Sequence, residues 1–212
     1  MFDIEYKGGN CVVIATKKTT LTVDSNLSVV GANDLKQKDA VELATEARLA
    51  TTAIGARMVI ESPGEYEVGD FTIRGVAAQR HIDGESDEKL STMYRIECGE
   101  VKIAVLGNIA SKVSDDQLEA LGVIDILIIP VGGGGYTLDA TSAATLVRQI
   151  EPKVVIPIHY ADSSLRYEVP QDNLDTFIKE LGAPVEKVTG KYKVKSIAAI
   201  PAALTVVELS RS

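Results

Sequence analysis

Two histidines, His81 and His159, and two cysteines, Cys11 and Cys98, are the whole supply of imidazole and thiol in this chain. Metal, acid–base or nucleophilic chemistry has to be built around them. A site that needs three imidazoles cannot form within one chain, and neither can a four-cysteine zinc site. Four segments place chemically capable residues where the chain leaves an apolar run. Val154-Val155-Ile156-Pro157-Ile158 ends at His159-Tyr160, and the ends of buried strands are where α/β folds hold their sites. Ile128-Ile129-Pro130-Val131 ends in Gly132, Gly133, Gly134 and Gly135, then passes through Tyr136, Thr137 and Leu138 to Asp139. Glycines there permit φ > 0 and close approach of a ligand, and a following helix N-terminus offers free N–H groups to an anion. A tight turn capped by Thr137 or Asp139 would use the same residues. No Gly-Lys-Ser/Thr follows, so the run is no P-loop, and its glycine spacing is not that of a dinucleotide fingerprint. Leu106-Gly107-Asn108 leaves a third strand, where Asn108 caps a turn or holds a ligand. Gln79-Arg80-His81-Ile82-Asp83 opens an acidic loop.

The elements that must position these residues follow from periodicity. Phe2, Ile4 and Tyr6 alternate with polar residues, and Gly8-Gly9-Asn10 is a turn signal before the apolar run 11–15. A third short strand over 20–23 closes at Asp24-Ser25-Asn26, giving an antiparallel meander. Over 39–54, Val41, Ala44, Leu49 and Ala53 recur at spacings near three and four, which predicts an amphipathic helix stopped by Gly55. A strand is predicted over 57–61, a hairpin over 66–77 turning at Gly69-Asp70, and another over 92–106 turning at Gly99-Glu100. Ser114-Asp115-Asp116-Gln117 is an N-capping signature for a short helix ending at Gly122. Helices are predicted over 139–151 and 171–181, buried strands over 124–131 and 153–158, and a last strand over 204–209. The alternation in Lys191-Tyr192-Lys193-Val194-Lys195 suits an edge strand whose lysines face water.

Length and composition bound the class. The 212 residues suit one compact domain, here 1–212, with 45% apolar and 25% charged residues. No apolar run reaches the roughly 18 residues of a membrane span. The net charge of −8 argues against nucleic acid as the partner, since phosphate contacts need clustered Lys and Arg. Residues 1–6 alternate like a strand and lack the basic and apolar regions of a leader, so the expected location is cytoplasmic. Both cysteines sit in apolar runs, which predicts buried free thiols. Hairpins early, helices alternating with apolar strands late, and strands needing cover on both faces together predict an α/β, four-layer αββα sandwich: two mixed sheets with outer helices.

Taken together, Pro63-Gly64-Glu65-Tyr66-Glu67, Leu106-Gly107-Asn108, the Ile129-Pro130-Val131-Gly132-Gly133 strand end before Thr137-Leu138-Asp139-Ala140, and Pro157-Ile158-His159-Tyr160 resemble, in order and spacing, the metallo-β-lactamase fold superfamily. The branch that the chain looks most like contains small metal-dependent hydrolases such as L-ascorbate-6-phosphate lactonase. The resemblance covers essentially the whole chain and implies the same sandwich. It also implies metal-site positions at His81 and His159, and at Asn108 where the branch carries a bridging aspartate. The superfamily's His-x-His-x-Asp-His motif would fall between about Asp39 and Ala53. This chain instead reads Asp39-Ala40-Val41-Glu42-Leu43-Ala44-Thr45-Glu46-Ala47-Arg48-Leu49-Ala50 there, with no histidine before residue 81.

A dinuclear zinc site makes hydroxide at neutral pH only with a fixed shell of imidazole and anionic ligands. Removing the motif takes most of that shell, so the sequence predicts a degenerate, hydrolase-like member without a resident cofactor, acting as a binding or assembly module. On this reading Ala44, Ala47, Leu49 and Ala50 let the former metal loop become a packed helix. Two alternatives stand beside it. One is a hydrolase of small phosphorylated esters or lactones, using a single divalent metal (Zn or Mn) at His81, His159 and Asn108, with Asp83 completing the site. The other is a metal-free anion or metabolite binder using Gly132, Gly133, Gly134 and Thr137. The partner is then a small molecule or a protein, neither nucleic acid nor membrane, and homo-oligomers are compatible with the resemblance.

Overall fold

The computed structural model describes residues 1–51, 55–83 and 88–212. Two mixed β-sheets face each other. The first contains β1 (Phe2–Gly8), β2 (Cys11–Ala15), β3 (Thr20–Val23), β4 (Val41–Leu43), β5 (Met58–Ile60) and β13 (Lys191–Val194), in the order β13-β1-β2-β3-β4-β5. The second contains β6 (Gly64–Val68), β7 (Phe71–Ala78), β8 (Ser91–Cys98), β9 (Val101–Val105), β10 (Ile126–Pro130), β11 (Val154–Ile158), β12 (Val185–Val188) and β14 (Thr205–Leu209), in the order β12-β14-β11-β10-β9-β8-β7-β6. Hairpins make the antiparallel parts, and β9, β10, β11 and β14 run parallel. This is the αββα sandwich that the sequence predicts.

Period-two alternation assigns each strand residue to a layer. Ile126, Ile128, Val154, Ile156 and Ile158 point between the sheets, where they meet Phe2, Ile4, Tyr6, Val12 and Ile14. Leu127, Ile129 and Val155 point outward under α2 (Ala140–Ile150) and α3 (Leu174–Leu181). That second apolar layer explains why β10 and β11 are apolar at every position. Helix α1 (Asp115–Leu121) starts with the expected capping box between Ser114 and Gln117. Helix α2 starts where Asp139 accepts from the Ser142 N–H. Over the first sheet the outer cluster is smaller: Cys11 with Leu27, Val30 and Leu165, covered by a 3-10 turn at Leu27–Val30. Both cysteines are buried free thiols. No helix among the described residues is long and apolar enough to cross a membrane.

The helix expected over 39–54 is not formed. Residues Val41–Leu43 are a strand parallel to β3, and Ala47–Leu49 is a single 3-10 turn; 52–54 lie outside the described residues. Spacings of three and four among small apolar residues do not distinguish a helix from a short buried strand plus a turn. Tertiary hydrogen bonds decide it. The Asp24 N–H donates to the Leu43 carbonyl, and Ala44 N–H to that of Ile60. The buried Glu42 carboxylate accepts from the Thr51 N–H (2.6 Å) and hydroxyl (2.8 Å). Ala44 and Leu49 are buried as the sequence reading requires, but Ala47 is exposed and Ala50 only half-buried. Helix α3 also begins later than predicted. Asp172 is held in an extended link instead, its N–H on the Gly132 carbonyl and its own carbonyl accepting from Ala161.

The Tyr94 hydroxyl, buried on β8, lies 2.9 Å from the Ala44 carbonyl and 3.0 Å from that of Ile60. It ties the ends of β4 and β5 to the opposite sheet. Tyr94→Phe leaves both carbonyls short of that donor, so we expect a loss of about 1–3 kcal/mol, read as a lower urea midpoint with an unchanged slope.

Candidate functional site

The loops leaving β3, β4, β9, β10 and β11 gather at one end of the sandwich, together with the β1–β2 turn. They enclose a cleft of about 430 Å³, its open mouth included, lined among others by Asn10, Asp24, Arg48, Asn108, Tyr136, His159 and Tyr167. The parallel strands β9, β10 and β11 all deliver their C-terminal ends here, as α/β sheets do at their binding sites.

His159 is the most constrained of these residues. It follows β11 with φ at 51°, a left-handed conformation costly for a residue with a Cβ. Its N–H is held by the Gly9 carbonyl (3.0 Å) and the Tyr6 hydroxyl (3.2 Å). Its Nδ1 lies 2.8 Å from Asn10 Oδ1. An amide oxygen only accepts, so Nδ1 carries the proton and Nε2 is left as an acceptor. Burial, then the nearby Arg48 cation, pushes the imidazole down to about 4, so it is neutral at pH 7. The rings of Tyr136 and Tyr167 flank it at 6.3 and 5.0 Å.

Across the cleft stands Arg48. Its Nε is 2.8 Å from Glu46 Oε2, its Nη2 is 3.5 Å from Glu46 Oε1, and its Nη1 donates to the Tyr136 hydroxyl. Its Cζ lies 4.8 Å from the centroid of that ring. The Glu46 side chain is 2% exposed and also accepts from Asn108 Nδ2 (3.2 Å), with Arg80 Nη1 at 3.7 Å. The guanidinium and carboxylate neutralise each other inside the wall. Asp24, with φ at 51°, accepts from the Thr45 N–H and hydroxyl, each at 2.7 Å. Burial pushes its carboxyl up to about 8 despite those bonds, with Glu46 and Glu42 raising it further. Gly107, at φ 67°, passes so close to Thr45 that a Cβ would stand 2.6 Å from that side chain.

Of the residues singled out in the sequence, His159 and Asn108 share this cleft and His81 does not line it. His81 opens a 3-10 turn, His81–Asp83, and its N–H donates to the Asn108 carbonyl (2.9 Å). Asp83, the acid offered to a reduced metal site, is paired with Arg80 at 2.6 and 3.0 Å. Residues 84–87 of that loop lie outside the described residues. Gly132, Gly133, Gly134 and Thr137 are not among the lining residues; Tyr136 is what their loop contributes. Gly133 N–H is spent on the Leu138 carbonyl. A Cβ on Gly132 would meet the His159 carbonyl at 2.1 Å, so glycine is required there by close packing. Asn10, Asp24, Glu46, Arg48 and Tyr136 were not assigned a site role from sequence. Asn10 and Asp24 read as turn residues, and nothing in the spacing of Glu46 and Arg48 announces a cleft wall.

A sequence-family model described as "Beta-lactamase superfamily domain" matches residues 3–159. The chain belongs to the metallo-β-lactamase superfamily. A UPF0173 protein of Pyrococcus furiosus is 30% identical over 105 residues, half of this chain. That match spans 46% of the archaeal protein's length. Among solved structures, a candidate Zn-dependent hydrolase of the superfamily from Thermotoga maritima is 23% identical, with a TM-score of 0.78 and 99% of both chains covered. A candidate metal-dependent hydrolase from Parabacteroides distasonis is 15% identical, with a TM-score of 0.63, covering 99% of this chain and 93% of its own. Igni18, a metallo hydrolase of Ignicoccus hospitalis, is 16% identical, with a TM-score of 0.58, covering 85% and 90%. These likenesses establish the fold.

The superfamily implies zinc, and the cleft can be tested for it. Among the described residues no three His, Cys, Asp or Glu side chains gather as a metal shell. The cleft lining presents one imidazole, four neutral amides, a guanidinium and two acids, Asp24 and Glu168; Asp24 is engaged by the Thr45 N–H and hydroxyl, and a cation beside the imidazole opposes a second cation. This donor set does not fit a zinc centre.

Asp24 and His159 pull stability in opposite directions with pH. The Asp24 contribution is full below about pH 4, where the unfolded carboxyl is also protonated, and is lost as pH rises through about 8. The His159 contribution is full above about pH 6.5 and is lost as pH falls through about 4. We therefore expect the stability advantage of the natural protein over Asp24→Asn to shrink by a few kcal/mol, roughly, between about pH 5 and pH 8. Urea unfolding across that range checks it; parallel pH curves would refute the buried-acid assignment.

Proposed function

We propose that this protein is a degenerate member of its superfamily, one that keeps the hydrolase fold without zinc hydrolase activity and acts as a metal-independent binding or assembly module. The observation that carries this reading is Arg48. The turn after β4, within the stretch where the superfamily motif would fall, places a guanidinium in the cleft in place of imidazole and carboxylate ligands. Glu46 and Tyr136 hold it there. A fixed internal cation can do part of what a bound metal does for structure, by neutralising a buried carboxylate. It cannot lower the pKa of a bound water to make a nucleophile, which takes a coordinated metal. The buried, apolar Leu49 next to Arg48 in the chain supports the same reading, since apolar burial stabilises the turn without metal bonds.

The test is metal content together with hydrolysis. Protein purified without tag or chelator, before and after incubation with excess zinc or manganese, should carry no stoichiometric metal by mass spectrometry. It should leave phosphoesters and lactones at the uncatalysed rate. A stoichiometric metal overturns the reading, and its loss in His159→Ala would assign it to the reduced site at His159.

A further inference from the structure

Each sheet has two edges, and three of the four carry charge within the strand itself. Strand β13 exposes Lys191 and Lys193, β6 exposes Glu65 and Glu67, and β12 exposes Glu186 and Lys187. Charged side chains of this kind keep an open edge from pairing with another chain. The fourth edge, β5, reads Met58-Val59-Ile60 and has none. Met58 is 45% exposed and Val59 is 41% exposed. Among the described residues they are the one pair of exposed large apolar side chains that adjoin in the chain. Arg57 and Glu61 flank the strand, both exposed, and neither forms an ion pair among the described residues.

The backbone of β5 is set for pairing. It runs parallel to β4, with Met58, Val59 and Ile60 opposite Val41, Glu42 and Leu43. In a parallel pair the N–H and C=O of one residue point to the same side, and those of the next residue point to the other. The Ile60 carbonyl accepts from the Ala44 N–H, towards β4. The Val59 N–H and carbonyl therefore point away from the sheet, unpaired. Val41, Leu43 and Ile60 lie in the core between the sheets, so alternation puts Arg57, Val59 and Glu61 on the outer face. An antiparallel neighbour with its own Val59 opposite exchanges both hydrogen bonds with it. The same two-fold axis sets Arg57 of each copy beside Glu61 of the other. Arg57-Met58-Val59-Ile60-Glu61 is thus self-complementary about Val59, apolar in the middle and opposite in charge at its ends. A parallel neighbour in register would set like charges side by side, which is unfavourable. We propose that β5 is a homodimer interface, where two copies pair antiparallel about Val59 and join their six-stranded sheets into one. A three-residue edge is small, so the dimer is weak and reversible. No residue of β5 lines the cleft, and the interface stands whatever the cleft binds.

The experiment is sedimentation velocity on the full chain, diluted from about 100 μM to about 1 μM to span a weak association. We expect a dimer at the high end that dissociates on dilution. Val59→Lys sets a lysine beside its own copy at the two-fold axis and should leave monomer throughout. Arg57→Glu sets acids opposite one another at both ends and should weaken the dimer about tenfold, the combined effect of two cross-strand charge pairs. Combining Arg57→Glu with Glu61→Arg reverses both charges, restores the pairing and should return the dimer to its original strength. All three positions are exposed, and circular dichroism checks that each variant is folded. Monomer at every concentration of the natural protein overturns the proposal. So does a dimer that Val59→Lys leaves intact, because the copies then meet on another face. A double variant no tighter than Arg57→Glu alone also overturns it, because residues 57 and 61 then do not face each other. Metal content and hydrolysis are untouched by these variants, so this interface and the reading of the cleft fail separately.

Discussion

A carboxylate taken out of water must be surrounded by donors, and the functional end of this molecule is organised around one, Glu46. Its oxygens collect Arg48 from its own turn, Asn108 from the loop after β9, and Arg80 from the loop after β7. Removing one partner from a buried pair typically costs about 3–5 kcal/mol, because the other charge is left unpaired. That penalty locks three loops from two sheets to one another. Arg48 then reaches Tyr136 on the loop after β10, and Asn108 receives the His81 N–H through its carbonyl. The cleft is thereby bounded by chain segments far apart in sequence, joined through one buried charge.

A second buried acid, Asp24, performs the same task one layer deeper. It grips the Thr45 N–H and hydroxyl, and so fixes where β4 ends and the turn begins. Gly107 can pass close to Thr45 because it has no Cβ and accepts a positive φ. In a metal-loaded relative of this fold, an ion would organise such loops. In this chain Asp24, Glu46, Asn108 and Arg48 tie those loops to one another. The neutral His159, kept below its usual range by burial and by Arg48, keeps Nδ1 on the Asn10 side-chain oxygen and leaves Nε2 as an acceptor.

The sheets and most helices were legible in the sequence because their causes are local. Alternation set β1 and β7, Ser114 and Gln117 set the start of α1, and Asp139 that of α2. His159 at the end of an apolar strand and Asn108 after another both line the cleft. The turn over 45–50 was misread, because the spacing of Val41, Ala44 and Leu49 suits a helix as well as a strand and turn. The Gly132–Gly134 run drew attention as a ligand cradle. Gly132 is explained by the His159 carbonyl and Gly134 by that of Pro170, each too close to permit a side chain, and Gly133 by its positive φ.

The sequence by itself determined the layers and the superfamily, and it determined that no three-histidine metal shell can form within one chain. The layers follow from periodicity and local capping, the superfamily from the motifs whose order and spacing resemble it, and the limit on histidines from residue counts; none of these depends on distant contacts. Only the tertiary structure decided what fills the cleft. Arg48 meets Tyr136 across 88 residues, and Asn10 meets His159 across 149. Their chemistry exists because burial forces each charge and each amide to find a partner. Which partner it finds is set by the packing of the two sheets.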